Sequence, residues 1–282
     1  MKWNTPFLGI VCLLAAAAQA QQPALTMSHG IAQAKPAGSS GGAPMPVEEI
    51  IHRFAAKEEE FRQARDNYTY TQTVRVQAFE MNGDPGGEYR RTSDIIFEPD
   101  GKRFEHITNA PASTLRLVSL SHEDIEDLAN IQPFVLTTED LPKYSLDYAG
   151  REQVDEIGTY VFQVRPRRIE RGQRYFEGTI WVDDQDLQIV KSYGKAVPDI
   201  RHGDNENLFP RFETYRENID GKYWFPTYTR ADDVLHFRTG DVRVRMTVRY
   251  TNYKQFKTSA RILNPQPVKP DATRPPDQPP QN

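Results

Sequence analysis

The chain has 282 residues and carries 35 lysines and arginines against 39 aspartates and glutamates, a formal net charge of −4. That mildly acidic balance excludes the dense positive field on which nucleic-acid binding depends. A single cysteine, Cys12, excludes a disulfide framework and a cysteine-based metal centre.

The chain opens with Lys2, an apolar run from Phe7 to Ala18 and the small-x-small sequence Ala18-Gln19-Ala20. This is the layout of an export signal cleaved after Ala20, and the apolar run is shorter than the roughly 20 residues that span a bilayer. Cys12 would leave with the signal. Val11 before it is not the small residue that a lipidation site requires, so the expectation is a soluble exported protein whose mature charge, after loss of Lys2, is −5.

Residues 21–45 are poor in large apolar side chains and contain Gly38-Ser39-Ser40-Gly41-Gly42, the composition of a flexible leader. Residues 264–282 hold seven prolines, the composition of a disordered tail. One domain is expected between them, over residues 46–263.

Pro46, followed by Glu48 and Glu49, opens an amphipathic helix that carries Ile50, Phe54 and Phe61 on one side and ends near Arg65. Strands are expected over Tyr68–Phe79, Tyr89–Phe97 and Lys102–Thr108, joined by the turn formers between Asn82 and Gly87 and by Asp100-Gly101. Ser121-His122-Glu123-Asp124 resembles a capping box, and Leu120 with Ile125 occupies the positions of a hydrophobic staple. A second helix is therefore predicted from Ser121, its inner face carrying Ile125, Leu128 and Ala129. A further helical turn is expected at Thr138–Leu141, where Pro142 limits it. Strands resume over Tyr144–Val154, Tyr160–Arg165, Tyr175–Asp183, Leu187–Lys195, Phe212–Ile219, Tyr223–Arg230 and Val242–Tyr253.

In the last of these Val242, Val244, Met246, Val248 and Tyr250 alternate with Arg243, Arg245, Thr247 and Arg249, the period-two pattern of a strand with one apolar and one wet face. A single antiparallel sheet of about 10–11 strands with two or three helices curls as strands accumulate, so the predicted fold is mainly β (α+β): an unclosed half-barrel with helices as lid or plug. Alternation directs Phe162, Val164, Phe176, Ile180, Val182, Val244, Met246 and Val248 inward, to meet Ile50, Phe54 and Phe61 of the first helix. These eleven residues are the candidate apolar cavity. Alternation marks burial without saying what is buried against it, so ordinary core packing explains each of them equally well.

Charged clusters are read more simply. Arg165, Arg167, Arg168, Arg171 and Arg174, interrupted by Pro166 and Gly172, form a hairpin tip; a solvated loop is the simpler reading, a docking patch for an anionic partner or lipid headgroups the other. His202 with Asp204 and Glu206, and Asp232 and Asp233 with His236, hold metal-ligating types but lack a second nearby histidine or a cysteine, and are read as solvated surface. Neither a G-x-S-x-G elbow nor an H-E-x-x-H pair occurs, and the Gly-Lys pairs at 101, 194 and 221 sit in no phosphate loop.

The helix, meander, helical interruption and long antiparallel run, with FEGTIWVDDQDLQIVKSYGK from Phe176 and IDGKYWFPTYTRADD from Ile219, resemble the LolA-like periplasmic lipoprotein carriers over most of residues 46–256. The resemblance implies periplasmic location, a helical lid over an apolar hollow, and lipid or acylated lipoprotein as cargo moving towards the outer membrane, with a membrane protein as donor or acceptor and no cofactor. It also implies an arginine that holds the lid by bonding to its backbone. Arg75, Arg90 and Arg91 are the candidates, although a surface charge is the plainer role for each. A regulatory interaction module on the same fold, holding a membrane partner, is the alternative. An exported hydrolase using His202 or Asp232 is a third reading.

Overall fold

A computed structural model describes residues 45–98, 101–131, 133–202 and 205–256. The expected signal, Cys12, the leader up to residue 44, Asp100, Asp204 and the proline-rich tail lie outside the described residues. Helix α1 (Val47–Arg65) and helix α2 (His122–Asn130) accompany twelve strands among the described residues. The strands are β1 (Tyr68–Phe79), β2 (Pro85–Phe97), β3 (Arg103–Asn109), β4 (Tyr144–Val154), β5 (Ile157–Pro166), β6 (Tyr175–Asp183), β7 (Ile189–Val197), β8 (Ile200–His202), β9 (Asn205–Asn207), β10 (Phe212–Asn218), β11 (Trp224–Phe237) and β12 (Gly240–Gln255).

Ten of them form one antiparallel sheet in the order β3-β2-β1-β12-β11-β10-β7-β6-β5-β4, and β8 pairs with β9 separately. The end strands β3 and β4 do not pair with each other, so the sheet is a curved, unclosed one, as its strand patterns predict. Strands β1 and β12 meet in its middle, with Val74 opposite Val248, Val76 opposite Met246 and Ala78 opposite Val244. All six are buried, and these ladders form one stretch of the apolar inner wall.

The outer face carries charge because its partners lie directly across the strands. Asp232 on β11 accepts from both Arg243 and Arg245 on β12 at 2.7–3.3 Å, and Glu213 on β10 meets Lys191 of β7 and Arg230 of β11 at 2.6 Å. These pairs keep Asp232 and Glu213 below the usual carboxylate range, against the opposing effect of burial. The Asp232, Asp233 and His236 group is thereby dispersed: Asp233 accepts from the Arg211 and Val234 amides, and His236 pairs with Asp241.

Helix α1 has no side-chain N-cap; Pro46 precedes it, Glu48 and Glu49 occupy its first turn, and Arg62 and Arg65 its last. Its buried stripe crosses the inner wall, with Phe54 against Phe162 of β5 and Phe61 edge-on to Phe225 of β11. Helix α2 starts with the full capping box: Ser121 Oγ accepts from the Asp124 amide at 3.1 Å, and an Asp124 carboxylate oxygen accepts from the Ser121 amide at 2.8 Å. The expected turn at Thr138–Leu141 is instead a 3-10 turn over Leu141–Lys143, because Asp140 binds Thr137 and turns the chain before Pro142 enters the helical register.

Candidate ligand-binding site

The inner wall is covered at one end by the irregular segment 110–120 and by α2. This flap docks on the start of β2. The Thr114 amide donates to Glu88 O at 2.9 Å, the Arg116 amide to Gly86 O at 2.9 Å, and the Thr114 hydroxyl accepts from the Glu88 amide at 3.0 Å. Such an approach needs glycine beneath it. A Cβ on Gly87, whose φ is +105°, would lie 1.9 Å from Thr114 O, and one on Gly86 would lie 2.3 Å from a Leu117 methyl.

Gly87→Val is therefore expected to lift the flap as well as strain the backbone, costing about 1–3 kcal/mol for the backbone alone. Gly83→Ala provides the control, since Gly83 has φ +93° and open space around its Cβ. Faster proteolysis within residues 110–120 in Gly87→Val alone is the expected outcome; equal cleavage in both variants would show that the flap is not held there.

Beneath the flap lies a cavity of about 210 Å³, lined by Val76, Leu117, Val118, Leu120, Leu128, Leu208, Phe209, Leu235, Phe237, Val244 and Met246, with Asp124, Glu206 and Asn207 at its polar side. Asp124 is engaged in the capping box and Glu206 by the Arg238 amide at 2.7 Å, while Asn207 donates from Nδ2 to Ser121 Oγ at 2.5 Å and its Oδ1 is buried without a hydrogen-bond partner. The remaining lining is mostly apolar, with the hydroxyls of Ser119 and Thr239 and the ring of Pro210 at its margin.

All eleven residues expected to form the cavity are buried. Val244 and Met246 line the flap cavity, and Phe61 lines a second cavity at the far end of α1. Ile50, Phe54, Phe162, Val164, Phe176, Ile180, Val182 and Val248 lie in the main packed core. The flap residues Leu117, Val118 and Leu120, in a segment with no period, were outside the expected set.

Two buried ion pairs, which periodicity does not reveal, fasten the two helices to the sheet. Arg216 of β10 donates from Nη1 to both carboxylate oxygens of Glu58 at 3.1 Å and from Nη2 to the carbonyl of Phe134 in the segment after α2. Both side chains are almost fully buried. Glu58 also accepts from the Ile189 amide at 3.0 Å, so α1, β7, β10 and the segment after α2 share one polar knot. Burial pushes the Glu58 carboxyl up from its ordinary 4.5, and the Arg216 guanidinium opposes that rise. Arg174, at the end of the β5–β6 hairpin tip, holds Asp127 of α2 with its guanidinium and also donates to Pro198 O. Burial raises Asp127 too, against Arg174.

Arg216, outside the three candidates, bonds to the backbone of the segment after α2 through Phe134 O. Arg75 and Arg90 are held by Glu88 and Arg91 by Glu105, so none of the three reaches a helix. At the hairpin tip Arg165 pairs with Asp147, Arg167 donates to Tyr144 O at 2.7 Å and Arg174 holds Asp127, while Arg168 and Arg171 are exposed. Among the described residues, no group of three or more His, Cys, Asp or Glu is arranged to hold a metal ion, and no helix is long and apolar enough to cross a membrane.

A scan against protein-family models gave no match, and a search of the curated proteins gave none. Among solved structures, the chain is similar to a DUF1329 family protein from Desulfovibrio piger (15% identity over 74% of this chain and 93% of that one, TM-score 0.36). It is also similar to MucB in the Pseudomonas aeruginosa MucA/MucB complex (13%, 71% and 99%, TM-score 0.20). A third similar structure is the LolA superfamily protein NE2245 from Nitrosomonas europaea (13% identity over 76% of this chain and 94% of that one, TM-score 0.33). The solved structures that this chain resembles thus include DUF1329 and LolA superfamily proteins.

Proposed function

We propose that this protein is an exported, periplasmic, non-enzymatic carrier that holds the acyl chain of a lipid or lipoprotein between the inner wall of its sheet and the flap. The observation that carries the reading is the apolar cavity under a cover with no regular structure in residues 110–120. Apolar cargo gains about 25 cal/mol for each Å² it removes from water. A flap docked by a few backbone hydrogen bonds and three apolar side chains is cheap to displace by comparison. Val244, Met246 and Val76 of the sheet would form the floor, Leu128 of α2 one side, and Leu117, Val118 and Leu120 the part that swings aside. The packed core residues under α1 support the wall and are not themselves the contact surface. Cleavage of the signal after Ala20 would deliver the chain to a compartment where acylated proteins need shielding from water.

Native mass spectrometry of the full chain, purified gently after export, tests this directly. A lipid or acylated peptide adduct that is lost in Val118→Asp is expected. Val118 is only half-buried, so this charge spares the core in a way that one at Val244 would not.

A clean mass that also refuses added lipid would sink the carrier and favour the interaction-module reading, in which the domain holds a membrane protein partner. One observation supports that alternative: among the described residues the end strand β3 has no strand on its outer side, and it exposes Phe104 and Ile107, at 51% and 50%, beside Ile96 of β2.

A further inference from the structure

The second cavity lies at the opposite end of α1 from the flap's docking strand end, where the last turn of the helix meets the ends of β2, β11 and β12 and the segment after α2. It encloses about 290 Å³. One part of its wall is aromatic, from Phe61, Tyr70, Phe97, Phe225, Tyr250 and Tyr253; the other carries the guanidinium-bearing residues Arg62, Arg65 and Arg103. The acidic residue on the lining is Asp140, already taken by Lys143 at 2.8 Å and the Thr137 hydroxyl at 2.8 Å.

The three arginines are not equally satisfied. Arg62 holds Glu59 at 2.8 Å. Arg103 holds Glu105 at 3.2 Å and Gln72 at 3.1 Å through its two Nη atoms, while its Nε is buried without a hydrogen-bond partner. Arg65 has Asp66 at 3.9 Å, too far for a hydrogen bond, and its Nε is buried with no hydrogen-bond partner. Its guanidinium lies 4.9 Å from the centre of the Phe97 ring, a contact that orients the group without satisfying its N–H donors. A position in the last turn of α1 suits a cation, since helix carbonyls point that way. That accounts for an arginine here and leaves its buried donor unmet, a cost that burial normally removes by supplying an acceptor. Burial also lowers the Arg65 pKa, with Tyr70 and Asp66 opposing.

We propose that this cavity binds a small organic carboxylate, its acid group on the Arg65 guanidinium, with Arg103 beside it, and its apolar body against the ring wall of Phe97, Tyr70 and Tyr253. A carboxylate presents two acceptors to a planar fork of donors. The aromatic wall selects an anion with an apolar body over inorganic phosphate or sulfate, and the volume limits it to a short chain or a single ring. This inference does not rest on the carrier reading, because the two cavities share no lining residue.

Calorimetric titration of the full chain with octanoate and, separately, with 1-octanol tests it. The unaltered protein is expected to bind octanoate about ten-fold or more tightly than the alcohol, the scale of a hydrogen bond to a charged group. Arg65→Gln should abolish that preference with its melting temperature held, while Val118→Asp in the flap cavity should leave it intact. Equal affinity for acid and alcohol, no octanoate binding, or a preference that survives Arg65→Gln overturns the proposal. A preference lost in Val118→Asp and kept in Arg65→Gln overturns it as well, and places the chain under the flap instead. The comparison of acid with alcohol on the unaltered protein needs no variant to fold, so the proposal stays exposed even if Arg65→Gln does not.

Discussion

Arg216→Met is expected to cost about 3–5 kcal/mol of folding stability at neutral pH, because it leaves the Glu58 carboxylate buried without its counter-charge. Glu58 has no route to water: its side chain is fully buried, and the one other donor it holds is the Ile189 amide. The sign of the pH dependence follows from the direction of its shift. Its folded pKa lies above the ordinary 4.5, so the folded state binds the proton more readily than the unfolded chain does, and the carboxyl costs stability as pH rises above 4.5. Without Arg216 the folded pKa climbs further and the costly window widens. The deficit of Arg216→Met relative to the unaltered protein should therefore shrink as pH falls toward 4.5. Taking that difference cancels the opposite acid sensitivity of Asp232 and Glu213, whose pKa values are lowered. Urea unfolding at neutral and acid pH measures it, and the double variant Glu58→Gln with Arg216→Met should lose less than Arg216→Met alone. A loss under about 1 kcal/mol, or one that ignores pH, would mean that the pair is not the fastening described.

Arg174→Leu is expected to have a comparable local effect and a different reach. Asp127 is 1% exposed, and removing its partner strands a second buried carboxylate at a cost of about 3 kcal/mol or more. Here the cost falls on one short element. Helix α2 spans nine residues, well below the length at which an isolated helix persists in water, so it should detach and lose its structure while the sheet stays folded. Amide exchange over residues 122–130 should rise by two orders of magnitude or so, the equivalent of about 3 kcal/mol, while β12 keeps its protection. Asp127→Asn with Arg174→Leu should recover part of the difference. Unchanged exchange in α2 would show that the helix is held by Leu128 and the capping box alone.

Strict alternation made much of the sheet legible. Strands β1, β4 and β6 run over the residues expected, although of the three only β1 alternates strictly; β4 shifts register between Tyr148 and Gly150, and its bounds and those of β6 follow from the turns that flank them. Strand β7 begins two residues later than read, since Leu187 takes φ +53° and cannot sit in a ladder. Strand β11 runs on to Phe237 where Asp232 and Asp233 suggest a stop; those aspartates are carried by β12 arginines and the Arg211 amide, partners that a local reading does not contain. The fastenings were written in the chain as exceptions to its pattern. Glu58 falls on the Ile50, Phe54 and Phe61 stripe, and Arg216 falls in register with the inward Phe212 and Thr214. One charge of each sign at an inward position predicts a buried pair, although not which elements it joins. The flap had no such signal: Leu117 and Val118 follow no period, and their place depends on glycines some thirty residues earlier.

The strand order carries a consequence for biosynthesis. The meander β1-β2-β3 is attached to the rest of the sheet through β12, the last in chain order of the strands among the described residues. Strands β4 to β7 and the β10–β11 hairpin can pair as they emerge, whereas Tyr68 must wait for Gln255 and Val74 for Val248. Until then the N-terminal third presents Val74, Val76 and Tyr70 to solvent on strands without neighbours on one side. Such long-range pairing makes a chain slow to fold and vulnerable to aggregation on the way, and a premature stop ahead of β12 would leave a nascent product dependent on chaperones or open to degradation.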